Sequence, residues 1–136
     1  MKNEYILKSG RKVVVTAKNK RVAKKFQGKN HYAYTILIEA EGTDYVFKTT
    51  FHDSIHNYES GQGLKKKTID EALNCVLLDY DSYDYNPDKE DFISEFGYEN
   101  DRTLGDKVYN ACWATYNALN LMFSREELNE LTEMVG

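Results

Sequence analysis

HYAYTILIEA, residues His31 to Ala40, alternates its side chains with the period of a strand. Tyr32, Tyr34, Ile36 and Ile38 fall on one face, and Ala33, Thr35 and Leu37 on the other. EGTD follows, with Gly42 supplying the permissive backbone of a turn into YVFKTTF. The strand is therefore one arm of a hairpin. Upstream, EYILK and KVVVT flank Ser9-Gly10 and read as another hairpin. Together they predict a twisted antiparallel sheet of three or four strands. Between the hairpins, Lys18 to Lys29 carries six bases and no acid. It reads as a loop or a marginal helix with Val22 and Phe26 inward.

Downstream the period changes. HDSIHNYESGQG, His52 to Gly63, is a loop by composition. Thr68 and Glu71 have capping-box spacing, and Ile69, Leu73, Val76, Leu77 and Tyr80 follow at helical intervals. That helix is predicted to end inside DYDSYDYNPDKED, Asp79 to Asp91, which links it to the next one. Asn86-Pro87 breaks the chain, and Asp88 caps a short helix bearing Phe92, Ile93 and Phe96, ended by Gly97. The longest helix is predicted from Arg102 to Phe123. Leu104, Val108, Cys112, Thr115, Leu119 and Met122 form its inner stripe, and Tyr109, Trp113, Tyr116 and Asn120 a second one. Ser124 with Glu127 starts a last helix through Leu128 and Leu131. Strands first and helices after predict one α+β domain over residues 1–136. An N-terminal antiparallel sheet packs against a C-terminal cluster of three or four helices.

At 136 residues and 41% hydrophobic, the chain can bury a core without staples. Cys75 and Cys112 sit in apolar helical patterns and read as free thiols. No apolar run approaches the ~20 residues of a membrane span, and the N-terminus lacks a signal-peptide pattern. A cytoplasmic address and no membrane partner are expected.

The net charge of -4 conceals a strong asymmetry. Residues 1–67 hold 14 bases and 6 acids, a balance of +8, whereas residues 68–136 hold 4 and 16, a balance of -12. Such polarity speaks of partners rather than fold. Two charged candidate surfaces follow from it. The first is acidic: Asp70 to Asp106 contains 12 acids against Lys89 and Arg102. Within it, Asp79, Asp81, Asp84, Asp88, Glu90 and Asp91 alternate with Tyr80, Tyr83 and Tyr85. Carboxylates spaced this way can imitate phosphates, and tyrosines add contact area at low entropy cost. The second is basic: Lys18, Lys20, Arg21, Lys24, Lys25 and Lys29, with Lys65, Lys66 and Lys67, could meet nucleic-acid phosphates. Solvated faces are the bland reading of both.

Chemistry is weakly signalled. His52 and His56 form H-x-x-x-H with Asp53 between them, but the segment reads as a loop and lacks the glutamate of a zinc-protease helix. ESGQGLKKKT lacks the spacing of a phosphate loop. DYDSYDYN departs from a calcium-binding loop at its fifth and sixth positions. No catalytic residue, metal or cofactor is expected.

EDFISEFGYENDRTLGDKVYNACWATYNALNLMF resembles a pattern in small accessory proteins of phages and prophages. The resemblance rests on Glu90, Asp91, Phe92, Phe96, Gly97, Tyr98, Asp101, Lys107, Tyr109, Ala111 and Cys112. It covers the C-terminal half well and the sheet loosely, and it carries no catalytic role. It implies a job inside a bacterial host. By analogy with anti-CRISPR and DNA-mimicking antirestriction proteins, that job is inhibition of a host nucleic-acid-targeting nuclease, an RNA-guided CRISPR nuclease first among them. The acidic stretch would be the contact. The alternatives are a nucleic-acid-binding accessory protein using the basic half, a small metal-dependent hydrolase using His52, Asp53 and His56, and a structural or assembly protein.

Overall fold

The structure, a computed structural model, describes residues 1–21, 32–51, 66–84, 88–95 and 97–136. An antiparallel sheet is built from β1 (Lys2–Ile6), β2 (Lys12–Arg21), β3 (Tyr32–Ala40) and β4 (Phe47–Phe51), in that spatial order. Four helices follow among the described residues: α1 (Ile69–Asp84), α2 (Lys89–Glu95), α3 (Arg102–Met122) and α4 (Arg125–Val135). The arrangement is α+β. None of these helices is long and apolar enough to cross a membrane.

Both hairpins form where alternation placed them. Gly10 turns the first at φ 90°, and its amide donates to the Leu7 carbonyl at 2.8 Å. Gly42 turns the second at φ 82°. Left-handed backbone of this kind favours glycine. β4 begins at Phe47, and Tyr45 and Val46 stay exposed in the connection. β2 runs further than expected. Lys18, Lys20 and Arg21, read from sequence as loop or marginal helix, extend the strand and pair with Thr35, Ala33 and Tyr32. The partner strand supplies a ladder that charge alone does not forbid.

Register fixes which face is apolar. Val13, Val15, Ile36 and Ile38 are at most 1% exposed and point at the helices. Leu73, Val76, Leu119 and Leu131 meet them from α1, α3 and α4. A smaller core of Tyr83, Phe92, Ile93, Tyr98 and Cys112 joins α2 to the lower ends of α1 and α3. The other face of the sheet carries Lys2, Glu4, Val14, Thr16, Lys18, Lys20, Thr35, Leu37, Glu39 and Lys48.

Caps hold the helix starts. Thr68 and Glu71 exchange two bonds of 3.1 Å, and Ser124 and Glu127 form a second capping box. Asp101 accepts from the Leu104 amide, and Asp88 from the Glu90 amide at 2.9 Å. Phe123, expected as the last helical residue, is instead extended and ends α3.

Arg11 ties the sheet to the helices. Its guanidinium donates to the Glu41 carbonyl at 2.5 Å and to the Glu127 carboxylate at 3.0 and 3.1 Å, and it lies 5.2 Å from the Phe123 ring centre. Burial pushes the Glu127 carboxyl up. The Ser124 amide and Arg11 outweigh burial, and the carboxyl titrates below its ordinary value. Glu127 therefore adds stability above the ordinary carboxylate range, and loses it as pH falls through the lowered value.

Gly105 has a separate reason to be glycine. A Cβ there would lie 2.8 Å from Tyr98 Cβ and 3.2 Å from Ile93 Cγ1. α3 can approach the turn after α2 only without a side chain at this point.

Two stability predictions follow from these contacts. Arg11→Ala should lower stability by about 1–3 kcal/mol at pH 7, measured by urea unfolding. Its deficit should shrink in acid, where a protonated Glu127 gains nothing from Arg11. Gly105→Ala should cost about 1–3 kcal/mol by overpacking, and an unchanged urea midpoint would show that the turn yields freely.

Candidate functional site

The acidic stretch is mostly helix rather than linker. Asp79 to Asp84 form the last turns of α1, and Asp88 to Asp91 form the cap and first turn of α2. Tyr85 lies outside the described residues, as do Asn86 and Pro87.

This helical setting changes the role of the tyrosines. Tyr80 and Tyr83, expected as contact surface, are 3% and 2% exposed. The Tyr80 hydroxyl donates to Asn120 Oδ1 at 2.7 Å, and its ring stacks on Tyr116 with centres 4.9 Å apart. Tyr83 packs against Tyr109 and Trp113 at 5.1 and 4.8 Å. The two aromatic sets read separately from sequence thus pack against each other at the α1–α3 contact. In the folded chain neither ring is available to a docked partner. Trp113 keeps 43% of its surface in solvent at the edge of this aromatic group.

The carboxylates divide into three kinds. Asp79 is half-buried against α3. Burial pushes its carboxyl up to about 7, a rise that the bond from the Cys112 thiol only partly offsets. Burial and the neighbouring Asp79 push the Cys112 thiol up as well, so it stays protonated and unreactive. Asp88, Glu90, Asp101 and Asp106 serve the local structure. Asp88 and Asp101 cap helices, Glu90 pairs with Arg102, and Asp106 pairs with Lys89 at 3.0 Å. Both pairs are exposed, so each is worth little on its own. Asp81, Asp91, Glu95 and Glu99 are exposed on the same helical half.

Asp81 has a position that the helix dipole by itself disfavours. It lies in the final turn of α1, which carries no base. The negative end of the helix dipole lies there, a term of roughly 0.3–1 kcal/mol for a charged side chain. Asp91 and Glu90, in the first turn of α2, are by contrast placed favourably.

The basic candidates come together in part. Asn19 clamps the segment before α1: its side chain donates to the Lys67 carbonyl at 2.8 Å and accepts from the Lys67 amide at 3.0 Å. This bond spans 48 residues and brings Lys66 to the same end of the sheet as Lys18, Lys20 and Arg21. These four are exposed. Lys67 is not: it is 4% exposed, with its ammonium 5.7 Å from the Tyr34 ring centre. Its role is packing, and a phosphate could not reach it. Lys24, Lys25, Lys29 and Lys65 lie outside the described residues.

His52, Asp53 and His56 also lie outside them. Among the described residues, no group of three or more His, Cys, Asp and Glu side chains is placed to hold a metal ion. No family model matches the chain, and no curated protein or solved structure matches it either.

Asp79 supplies a pH test. Unfolded, its carboxyl returns to the ordinary 3.8. Between about 4 and 7 the unfolded chain releases this proton while the folded chain keeps it. The Asp79 contribution is therefore full below that window, falls across it, and is level above. Asp79→Asn should remove the decline and stabilise the protein at pH 8 by roughly 1–3 kcal/mol. Parallel stability–pH curves for the two proteins would show a solvated carboxylate instead.

Proposed function

We propose that the protein is a phage-type anti-defence inhibitor that docks its acidic helical half on the basic nucleic-acid groove of a host nuclease, an RNA-guided CRISPR nuclease being the target class. The observation that carries this reading is the set of exposed acids, Asp81, Asp91, Glu95 and Glu99, on the helical half. Caps and ion pairs account for Asp88, Glu90, Asp101 and Asp106. Asp81 adds a further exposed carboxylate in the final turn of α1, a turn that carries no base. Exposed charge of one sign is what docking on a basic groove requires.

Burial of the tyrosines supports a contact made by charge. Tyr80 and Tyr83 belong to the scaffold, so the contact is predominantly electrostatic, with Asp81, Asp91, Glu95 and Glu99 as its exposed charges. The aromatic packing beneath holds the two helices that carry them. Such a surface steers encounter over long range and weakens with salt.

The test is direct binding to purified RNA-guided nucleases, with and without guide RNA, at two salt concentrations. Salt-sensitive binding competed by target DNA is expected. The triple variant Asp81→Asn, Asp91→Asn, Glu99→Gln should bind at least tenfold more weakly while its circular dichroism stays unchanged. Equal inhibition by the variant and the parent protein would sink the reading.

A further inference from the structure

The outer face of the sheet holds a second charged surface, independent of the docking reading because the helices cover the opposite face. Register assembles it from all four strands. Lys2 on β1 pairs with Thr16 on β2, Thr16 with Leu37 on β3, and Leu37 with Lys48 on β4. This row puts a lysine at each edge of the sheet. Lys18 and Lys20 continue along β2 from Thr16, on the same face, opposite Thr35 and Ala33. All four lysines are exposed, while Thr16, Thr35 and Leu37 between them are half-buried. None of the four has an ion pair with a described residue. The acids of this face, Glu4 and Glu39, share the next row with Val14, towards Lys12. Glu4 lies 4.0 Å from the Lys12 ammonium. The half of the face around Thr16 is therefore cationic.

Its dimensions select a ligand. Three strand spacings separate Lys2 from Lys48, about 14 Å, and Lys18 and Lys20 are about 7 Å apart along β2. One strand of duplex DNA carries a phosphate every ~3.4 Å, so about four phosphates pass over that span. The acidic half does not cancel this attraction. Its exposed acids lie on helices beneath the sheet, and a helix is ~10–12 Å across. The Debye length at physiological salt is only ~8 Å.

We infer that the outer face of the sheet binds the phosphate backbone of duplex DNA through Lys2, Lys18, Lys20 and Lys48. None of these side chains reads a base, so the contact is independent of sequence. The protein would then hold DNA on one face and present its acidic helices on the other.

Fluorescence anisotropy with a labelled 16-bp duplex tests this between 50 and 200 mM salt. Four neutralised phosphates predict a log–log slope near -3.6, about a 150-fold loss of affinity over that range. The double variant Lys18→Gln, Lys48→Gln should halve the slope, leaving about a 12-fold loss. The triple acid variant of the docking test should bind the duplex no more weakly than the parent, so the two readings fail separately. No anisotropy change at 50 mM salt would overturn the inference. So would a slope that the lysine variant leaves unchanged while its circular dichroism is native. Preference for single-stranded over duplex oligonucleotide would overturn it too. Self-association through this face, lost in the lysine variant and seen without duplex binding, would assign the surface to a second copy of the chain instead.

Discussion

Val13, Val15, Ile36 and Ile38 line one face of a four-stranded sheet, and that face has to be kept from water. Burying each such side chain is worth roughly 1.5–3 kcal/mol, and the sheet cannot gain it alone. The helical half supplies the cover. α1, α3 and α4 bring Leu73, Leu119 and Leu131 onto the sheet, while α2 is held at the far end through Phe92 and Ile93. Polar ties then set how the layers meet. Arg11 joins both hairpin turns to the start of α4, Tyr5 donates its hydroxyl to Asp70 on α1, and Asn19 clamps the segment that leads into α1. With these ties in place, the basic strands and the acidic helices face solvent on opposite sides.

The distribution of charge is only partly explained by folding. Several acids cap helices or pair with the few bases of their half. Asp79 is a different case, because burial holds its carboxyl near neutrality against the thiol of Cys112. At Asp79 this burial costs stability above neutral pH. Asp81, in the last turn of α1, is an exposed acid at the negative end of the dipole. Functional surfaces in small proteins often sit where local rules are broken in this way.

Much of the fold was legible because its signals are local. Alternation over residues 32–38 marks β3 whatever it pairs with, and the capping boxes at Thr68 and Ser124 mark helix starts within a single turn. The stripe from Leu104 to Met122 likewise identified the buried side of α3. The acidic stretch was harder to read. Composition suggested a solvated link, since tyrosine and aspartate both suit a surface. Helical phase decided otherwise, turning Tyr80 and Tyr83 inward while Asp81 stayed outside.

The sequence by itself determined the elements, their order, most of their boundaries and the opposition of a basic and an acidic half. These depend on side-chain period, caps and turns, each spanning a few residues. Only the tertiary structure decided what lies on each surface. The pairing of Tyr80 with Asn120 joins residues 40 apart, and the clamp of Asn19 on Lys67 joins residues 48 apart. Lys67 was one more base in a run until that clamp buried it over Tyr34. Lys2 and Lys48 were unremarked until register set them at the two ends of one row. Gly105 was a weak helix residue until Tyr98 approached it. No local pattern encodes such contacts, because burial depends on which distant segment arrives to exclude water.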